Sequence, residues 1–208
     1  MMKLRVTLAA LAGATLLQAC VPLIAGGVAG GVTTALDRRS YNEQIRDTEI
    51  EHRFNRSFPA ALETRTNVSA TAFNRWVLLT GQAIDEAART EVEAVARAVP
   101  NVREVYNEIT IGYPNSLRIR TNDALITSNV KTLLFDAKNL SGHHLKVVTE
   151  SNTVYLMGLV TEPEARAATD IARRAQGVQK VVSLIEIIPA DEAKRRTLET
   201  TQPPEQHN

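Results

Sequence analysis

Hydrophobic and polar positions along the chain fall into two runs of the same pattern. Ile50, Phe54 and Phe58 recur at i, i+4 and i+8, the spacing of one helical face. Ile126, Val130 and Leu134 repeat that spacing 76 residues later. Alternation with a period of two follows at Val68, Ala70 and Ala72, and again at Leu145, Val147 and Thr149. This is the signature of strands with one covered face. Asn74-Arg75 and Ser151-Asn152 mark turns into second strands, which run to Gly81 and Gly158. Second helices then carry Val92, Val95, Ala96 and Val99, or Ala168, Ile171, Ala172 and Ala175. Third strands rich in β-branched residues, 102–111 and 178–187, close the units. The order is α-β-β-α-β twice over. It predicts an α+β protein of two tandem units, each a small three-stranded sheet packed by helices.

The two copies align closely enough to locate their one length difference. Three residues separate Gly81 from Asp85, whereas two separate Gly158 from Thr161. Asp85 and Thr161 both suit a helix N-cap, and Thr161 with Glu164 has capping-box spacing. The change therefore sits in a loop, where it costs little. Gly81 and Gly158 fall where a strand leaves for a helix, and a structural role at a turn suits both.

The N-terminus has a different character. Lys3 and Arg5 precede the apolar stretch 6–17, which is shorter than the ~20 residues a membrane-spanning helix needs. Residues 1–19 are expected to be a lipoprotein signal peptide. They end in Leu17-Gln18-Ala19-Cys20, which resembles the bacterial lipobox, a motif whose Cys is acylated and becomes the mature N-terminus. Cys20 is thus the expected lipidation site. Several acyl chains at ~0.8 kcal/mol per buried CH₂ make such an anchor effectively permanent. Val21 after the Cys, in place of Asp, implies by the same resemblance the outer membrane. Residues 20–45, with Gly26-Gly27 and Gly30-Gly31, are expected to be a lipidated N-terminus and flexible linker. Polar residues 190–208, with Pro203-Pro204, are expected to form a disordered tail.

The repeat resembles the BON domain, in units at 46–113 and 122–189. The α-β-β-α-β order, Gly81, Gly158 and the third strand from Val102-Arg103-Glu104-Val105 carry the resemblance. With the lipobox, Val105-Tyr106-Asn107-Glu108-Ile109 and Tyr155-Leu156-Met157-Gly158-Leu159-Val160-Thr161-Glu162 are similar to the dual-BON outer-membrane lipoproteins. That resemblance implies a periplasm-facing protein that binds anionic phospholipid and supports envelope integrity without catalysis. It also implies concentration at division sites and a link to outer-membrane protein assembly.

Charge and composition sharpen this picture. Of 208 residues, 24 are Lys or Arg and 23 Asp or Glu, a net charge of +1 that disfavours a wholesale nucleic-acid binder. Loss of residues 1–19 takes Lys3 and Arg5 and leaves a net charge of −1. A single Cys excludes an internal disulfide framework. The near-neutral total hides a difference between copies. Residues 116–147 hold five basic and two acidic residues, and the corresponding 40–71 hold four and five. Glu49 and Ser57 in the first copy become Leu125 and Leu133 in the second. The first helix of the second unit is therefore the expected lipid-facing element. Its candidate lipid contacts are Leu125, Asn129, Lys131, Thr132, Leu133, Asp136 and Lys138. A second destination stays open for the two leucines, an interface with the first unit. An adaptor that binds an envelope complex through sheet edges or this helix is the rival function.

Other residues carry less. His143-His144 would point to opposite faces of a strand, poor geometry for a shared metal, and no acidic or Cys cluster accompanies them. They suit a loop end. Trp76 suits packing, and none of the four histidines sits in a nucleophile–base motif. No catalytic residue, cofactor or metal is expected.

Overall fold

The computed structural model describes residues 37–201. The signal segment, Cys20 and the remainder of the chain to residue 36 lie outside the described residues, as do residues 202–208. In the first unit, α1 (Tyr41–Ser57) and α2 (Ala60–Glu63) precede β1 (Thr66–Phe73), β2 (Trp76–Ala83) and α3 (Glu86–Arg97). The third strand is interrupted into β3 (Glu104–Asn107) and β4 (Thr110–Ile111), both parallel to β2 along one edge. The second unit comprises α4 (Leu117–Phe135), a 3-10 turn (Gly142–His144), β5 (Leu145–Glu150), β6 (Thr153–Val160), α5 (Glu162–Arg174) and β7 (Lys180–Ile187). A last helix, α6 (Ala190–Thr201), follows. Both units thus have the expected order, with an antiparallel hairpin and a parallel third strand.

Each hairpin turns through two residues of positive φ, Asn74-Arg75 and Ser151-Asn152. Such a turn fits the twist of the strands but leaves backbone N–H groups to satisfy. One buried carboxylate does so in each copy. Asp47 of α1 accepts from the backbone N–H groups of Asn74 and Arg75, both at 2.7 Å. Asp123 of α4 accepts from those of Ser151 and Asn152, both at 2.9 Å. The first helix is thereby tied to its hairpin at the same place twice.

Two cores lie between each sheet and its own helices, one built on Ile50, Phe54, Leu79 and Val92, the other on Ile126, Val130, Leu156 and Ala168. A third joins the units. Phe73 and Leu78 pack with Tyr155, Met157, Leu159 and Leu184, so the two sheets face each other through their helix-free sides. β2 and β6 are therefore buried on both faces, and they read as continuous apolar runs for that reason. Burial of Leu78, Met157 and Leu159 contributes ~1.5–3 kcal/mol each by ordinary transfer arithmetic. Polar contacts fix the register between units. Lys146 meets Glu51 at 2.9 Å, Arg103 meets Glu186 at 3.2 Å, and the Gln82 amide donates to Glu150 at 2.6 Å. All three cores are built from described residues of one compact unit, Thr33–Asn208.

Two boundaries differ from the sequence expectation. The linker expected to reach residue 45 gives way to helix at Tyr41, because Ser40 and Glu43 form a capping box. Just before it, Asp37 and Arg38 are buried. Arg38 makes two bonds to Glu164 of α5, at 2.7 and 2.9 Å, and Arg39 bridges Asp37 and Asp47. The tail expected to be disordered from residue 190 is helical to Thr201. Its polar composition concealed three supports: Ala193 buried in the inter-sheet core, Arg196–Glu192 and Arg195–Glu199 pairs one turn apart, and acidic residues in the first turn.

Candidate functional site

Helix α4 begins at Ser116, whose hydroxyl accepts from the Ile119 N–H, and ends at Asp136. Asp123, Ile126, Val130 and Leu134 face inward. At 100° per residue the opposite line of the helix runs through Leu117, Thr121, Leu125, Ser128, Thr132 and Phe135. Every residue of that line is exposed and none is charged. Leu117 is 73% exposed, Leu125 66% and Phe135 51%. The sole carboxylate within the helix, Asp123, is turned inward to the hairpin. Arg118 lies on one flank, Arg120 and Lys131 on the other, and Lys138 beyond the C-terminal end. Among the described residues, none of these four cations has an ion-pair partner. The arrangement is an uncharged line in which Leu117, Leu125 and Phe135 alternate with hydroxyl-bearing residues, edged by positive charge.

Most of the residues singled out in the sequence reach this surface. Leu125 and Thr132 lie on the outward line, with Asn129, half-buried, and Leu133 beside it. Lys131, Asp136 and Lys138 are exposed. Leu125 and Leu133 do not form the interface with the first unit; the stacked sheets make that interface, leaving the leucines 66% and 38% exposed. The sequence reading passed over Leu117 and Phe135. Extending the outward line by three and four residues in both directions from Leu125 would have reached them.

Beyond the helix, the 3-10 turn packs against its end. The His143 ring lies 4.8 Å from that of Phe135. His144 is buried rather than at a strand face, and its Nδ1 has no hydrogen-bond partner among the described residues. Burial, aided by the positive charge of Arg38, pushes its pKa down to about 4. Burial alone would raise the pKa of Glu164. Bonds from the Arg38 guanidinium and from Thr161 outweigh it and hold the carboxyl at about 2.

The two glycines sit inside β2 and β6, not at their ends. Gly81 has φ of +113°, and a Cβ there would lie 2.1 Å from the Asn67 carbonyl oxygen. Gly158 has ordinary strand backbone, and its Cβ would meet the Leu145 side chain at 2.5 Å and the His144 carbonyl oxygen at 3.0 Å. Gly81 excludes a side chain by its backbone conformation and the close approach of β1, whereas Gly158 admits one only if the Leu145 side chain moves.

With this geometry in place, comparison with known proteins is direct. Residues 46–113 and 122–189 each match the BON domain family. The chain is a BON-domain protein. It is 34% identical over 184 residues to the outer membrane lipoprotein DolP of Haemophilus influenzae, covering 87% of this chain and 95% of that one. It is also 32% identical to the 21 kDa hemolysin of Actinobacillus pleuropneumoniae, over 76% of this chain and 83% of that one. The molecule is thus a dual BON-domain protein resembling DolP. The first helices of its two BON domains share an inward face and differ outside. Glu49 of α1, at the place of Leu125, is held by Arg53 at 2.6 Å. No described helix is long and apolar enough to cross a membrane.

Proposed function

We propose that this protein is an outer-membrane lipoprotein, anchored through Cys20 on the periplasmic face, whose second BON domain binds anionic phospholipid and supports membrane integrity. The outward face of α4 carries this reading. Exposed apolar residues distributed over a 19-residue helix, flanked by Arg and Lys without ion-pair partners among the described residues, match the chemistry of a helix lying in an anionic lipid interface. Each basic residue near such a surface contributes about 1 kcal/mol, fading within a Debye length of ~10 Å. Docking by this face alone is weak and reversible. A covalent anchor raises the effective lipid concentration and makes it persistent. The similarity to the Haemophilus outer membrane lipoprotein supports the location. The role is one of binding, without a reaction of its own.

Titration of Thr33–Asn208 with anionic and neutral vesicles tests the proposal. Binding should require anionic lipid and weaken with salt. A Leu125→Glu, Leu133→Glu variant should bind at least about tenfold more weakly, since two carboxylates replace apolar contacts at a negative surface. Undiminished binding by that variant, with a native amide spectrum, would overturn it.

A further inference from the structure

We propose that Tyr113, on the connection between the two BON domains, is an aromatic anchor that extends the lipid-facing surface past the N-terminal end of α4. The inference rests on the reading of α4 as lipid-facing, and it commits to the same occupant, an anionic bilayer surface.

Tyr113 is 88% exposed, the most exposed large hydrophobic side chain among the described residues. It is held there by its backbone. The Gly112 N–H donates to the Ala83 carbonyl at 2.8 Å, and Pro114 restricts Tyr113 to extended conformations. Asn115 closes the connection from the other side. Its N–H donates to the Gln82 side-chain carbonyl at 3.0 Å, and its amide donates to Glu150 at 2.7 Å and to the Ser151 hydroxyl at 2.8 Å. Gln82 belongs to the first domain, Glu150 and Ser151 to the second. A ring at the surface is therefore carried on a segment whose backbone is pinned to both domains.

Its surroundings point to the occupant. Leu117 opens α4 four residues later, and Arg118 and Arg120 follow with no ion-pair partner among the described residues. An aromatic ring with a polar tip, followed four residues along the chain by an exposed leucine and then by Arg118 and Arg120, suits the headgroup level of an anionic membrane, where tyrosine is enriched. Phe135 stands at the other end of a helix about 28 Å long, so aromatic side chains bracket the apolar line. The fold itself has no use for the ring. At the matching place in the second domain stands Pro189, from which α6 runs on to bury Ala193 in the inter-sheet core.

The test uses Thr33–Asn208 with phosphatidylglycerol-containing and pure phosphatidylcholine vesicles. Tyr113→Ser should weaken partitioning to the anionic vesicles about fivefold while leaving amide shifts of both cores unchanged. In a second measurement, Tyr113→Trp should bind like the parent, and brominated lipid should quench its added emission. In the parent the only indole is Trp76, half-buried against Tyr106, and its emission should survive. Leu125→Glu, Leu133→Glu is measured in parallel. Loss of binding by that variant with parent-like binding by Tyr113→Ser overturns the anchor and leaves the α4 reading standing. Parent-like binding by both overturns the two together. Unquenched emission from bound Tyr113→Trp also overturns the anchor, and places the ring against something other than lipid.

Discussion

Helices α1 and α4 do the same structural work and present different surfaces. Inward, each contributes a buried aspartate to its hairpin turn and an apolar line to its core, Ile50 and Phe54 in one, Ile126, Val130 and Leu134 in the other. Outward, α1 begins with exposed Tyr41 and Ile45. It continues in polar residues joined along its own surface, Arg53 by an ion pair to Glu49 and Arg56 by a hydrogen bond to His52. The outward line of α4 is uncharged, and its flanking cations have no ion-pair partner among the described residues. Because both helices belong to one chain and one fold, the shared face shows what a BON domain needs to fold. The unshared face is left for function. Three experiments press on that division.

The largest effect should come from the shared aspartates. Asp47→Ala strips acceptors from two backbone N–H groups at a positive-φ turn and removes one partner of the half-buried Arg39, whose 2.6 Å pair with Asp47 has no counterpart at Asp123. A loss of about 4 kcal/mol is expected, from unsatisfied buried donors plus a weakened ion pair. Asp123→Ala removes only the turn contacts and should cost about 3 kcal/mol. Urea denaturation of Thr33–Asn208 gives both values. A larger loss at Asp123 would show that the turn, not the arginine, dominates and that the copies are less alike than their geometry.

A smaller contrast lies at the paired glycines. Gly81→Ala should cost about 3 kcal/mol, because positive φ and a backbone oxygen at 2.1 Å leave the methyl no escape. Gly158→Ala meets chiefly the end of a leucine side chain, which can rotate, and should cost about 1 kcal/mol. Thermal unfolding of the two variants ranks them. Equal destabilisation would mean that Leu145 is locked and that packing alone sets both positions.

What the sequence disclosed follows the same division. Periodicity at Ile50, Phe54 and Phe58 and its repeat at Ile126, Val130 and Leu134 revealed the helices because each has a single buried face. The face-to-face sheets were less legible, although the unbroken apolar runs of β2 and β6 encode burial on both sides. Arg38 and α6 were hidden for another reason. Their stability depends on partners far away in sequence, Glu164 for the arginine and the inter-sheet core for Ala193, which local composition does not report. Leu125 and Leu133 could be recognised because the other copy carries Glu49 and Ser57 there. Tyr113 lies on a connection, outside any periodic element, so no pattern marked it.

The third experiment concerns a group that only the second domain has. His144 occupies the place of Asn67 in the first domain, and each backbone oxygen abuts its strand glycine. The burial of His144 lowers its pKa from 6.5 in the unfolded chain to about 4. A depressed histidine is neutral in the folded state where the unfolded state already takes up a proton. Its stabilising contribution is therefore complete above pH 6.5 and declines as pH falls toward 4, by about 2 kcal/mol. Glu164 behaves as a depressed carboxylate, and its contribution fades only as pH falls from 4.5 toward 2. Acid should thus loosen the second domain before the first. Amide exchange in β5 and β6 should quicken between pH 6.5 and 4 while that in β1 and β2 stays slow. His144→Leu should flatten the stability profile in that window and leave the Glu164 limb below it. An unchanged profile in the variant would assign the acid sensitivity to the carboxylates that the two domains share, and the asymmetry between copies would then be confined to their surfaces.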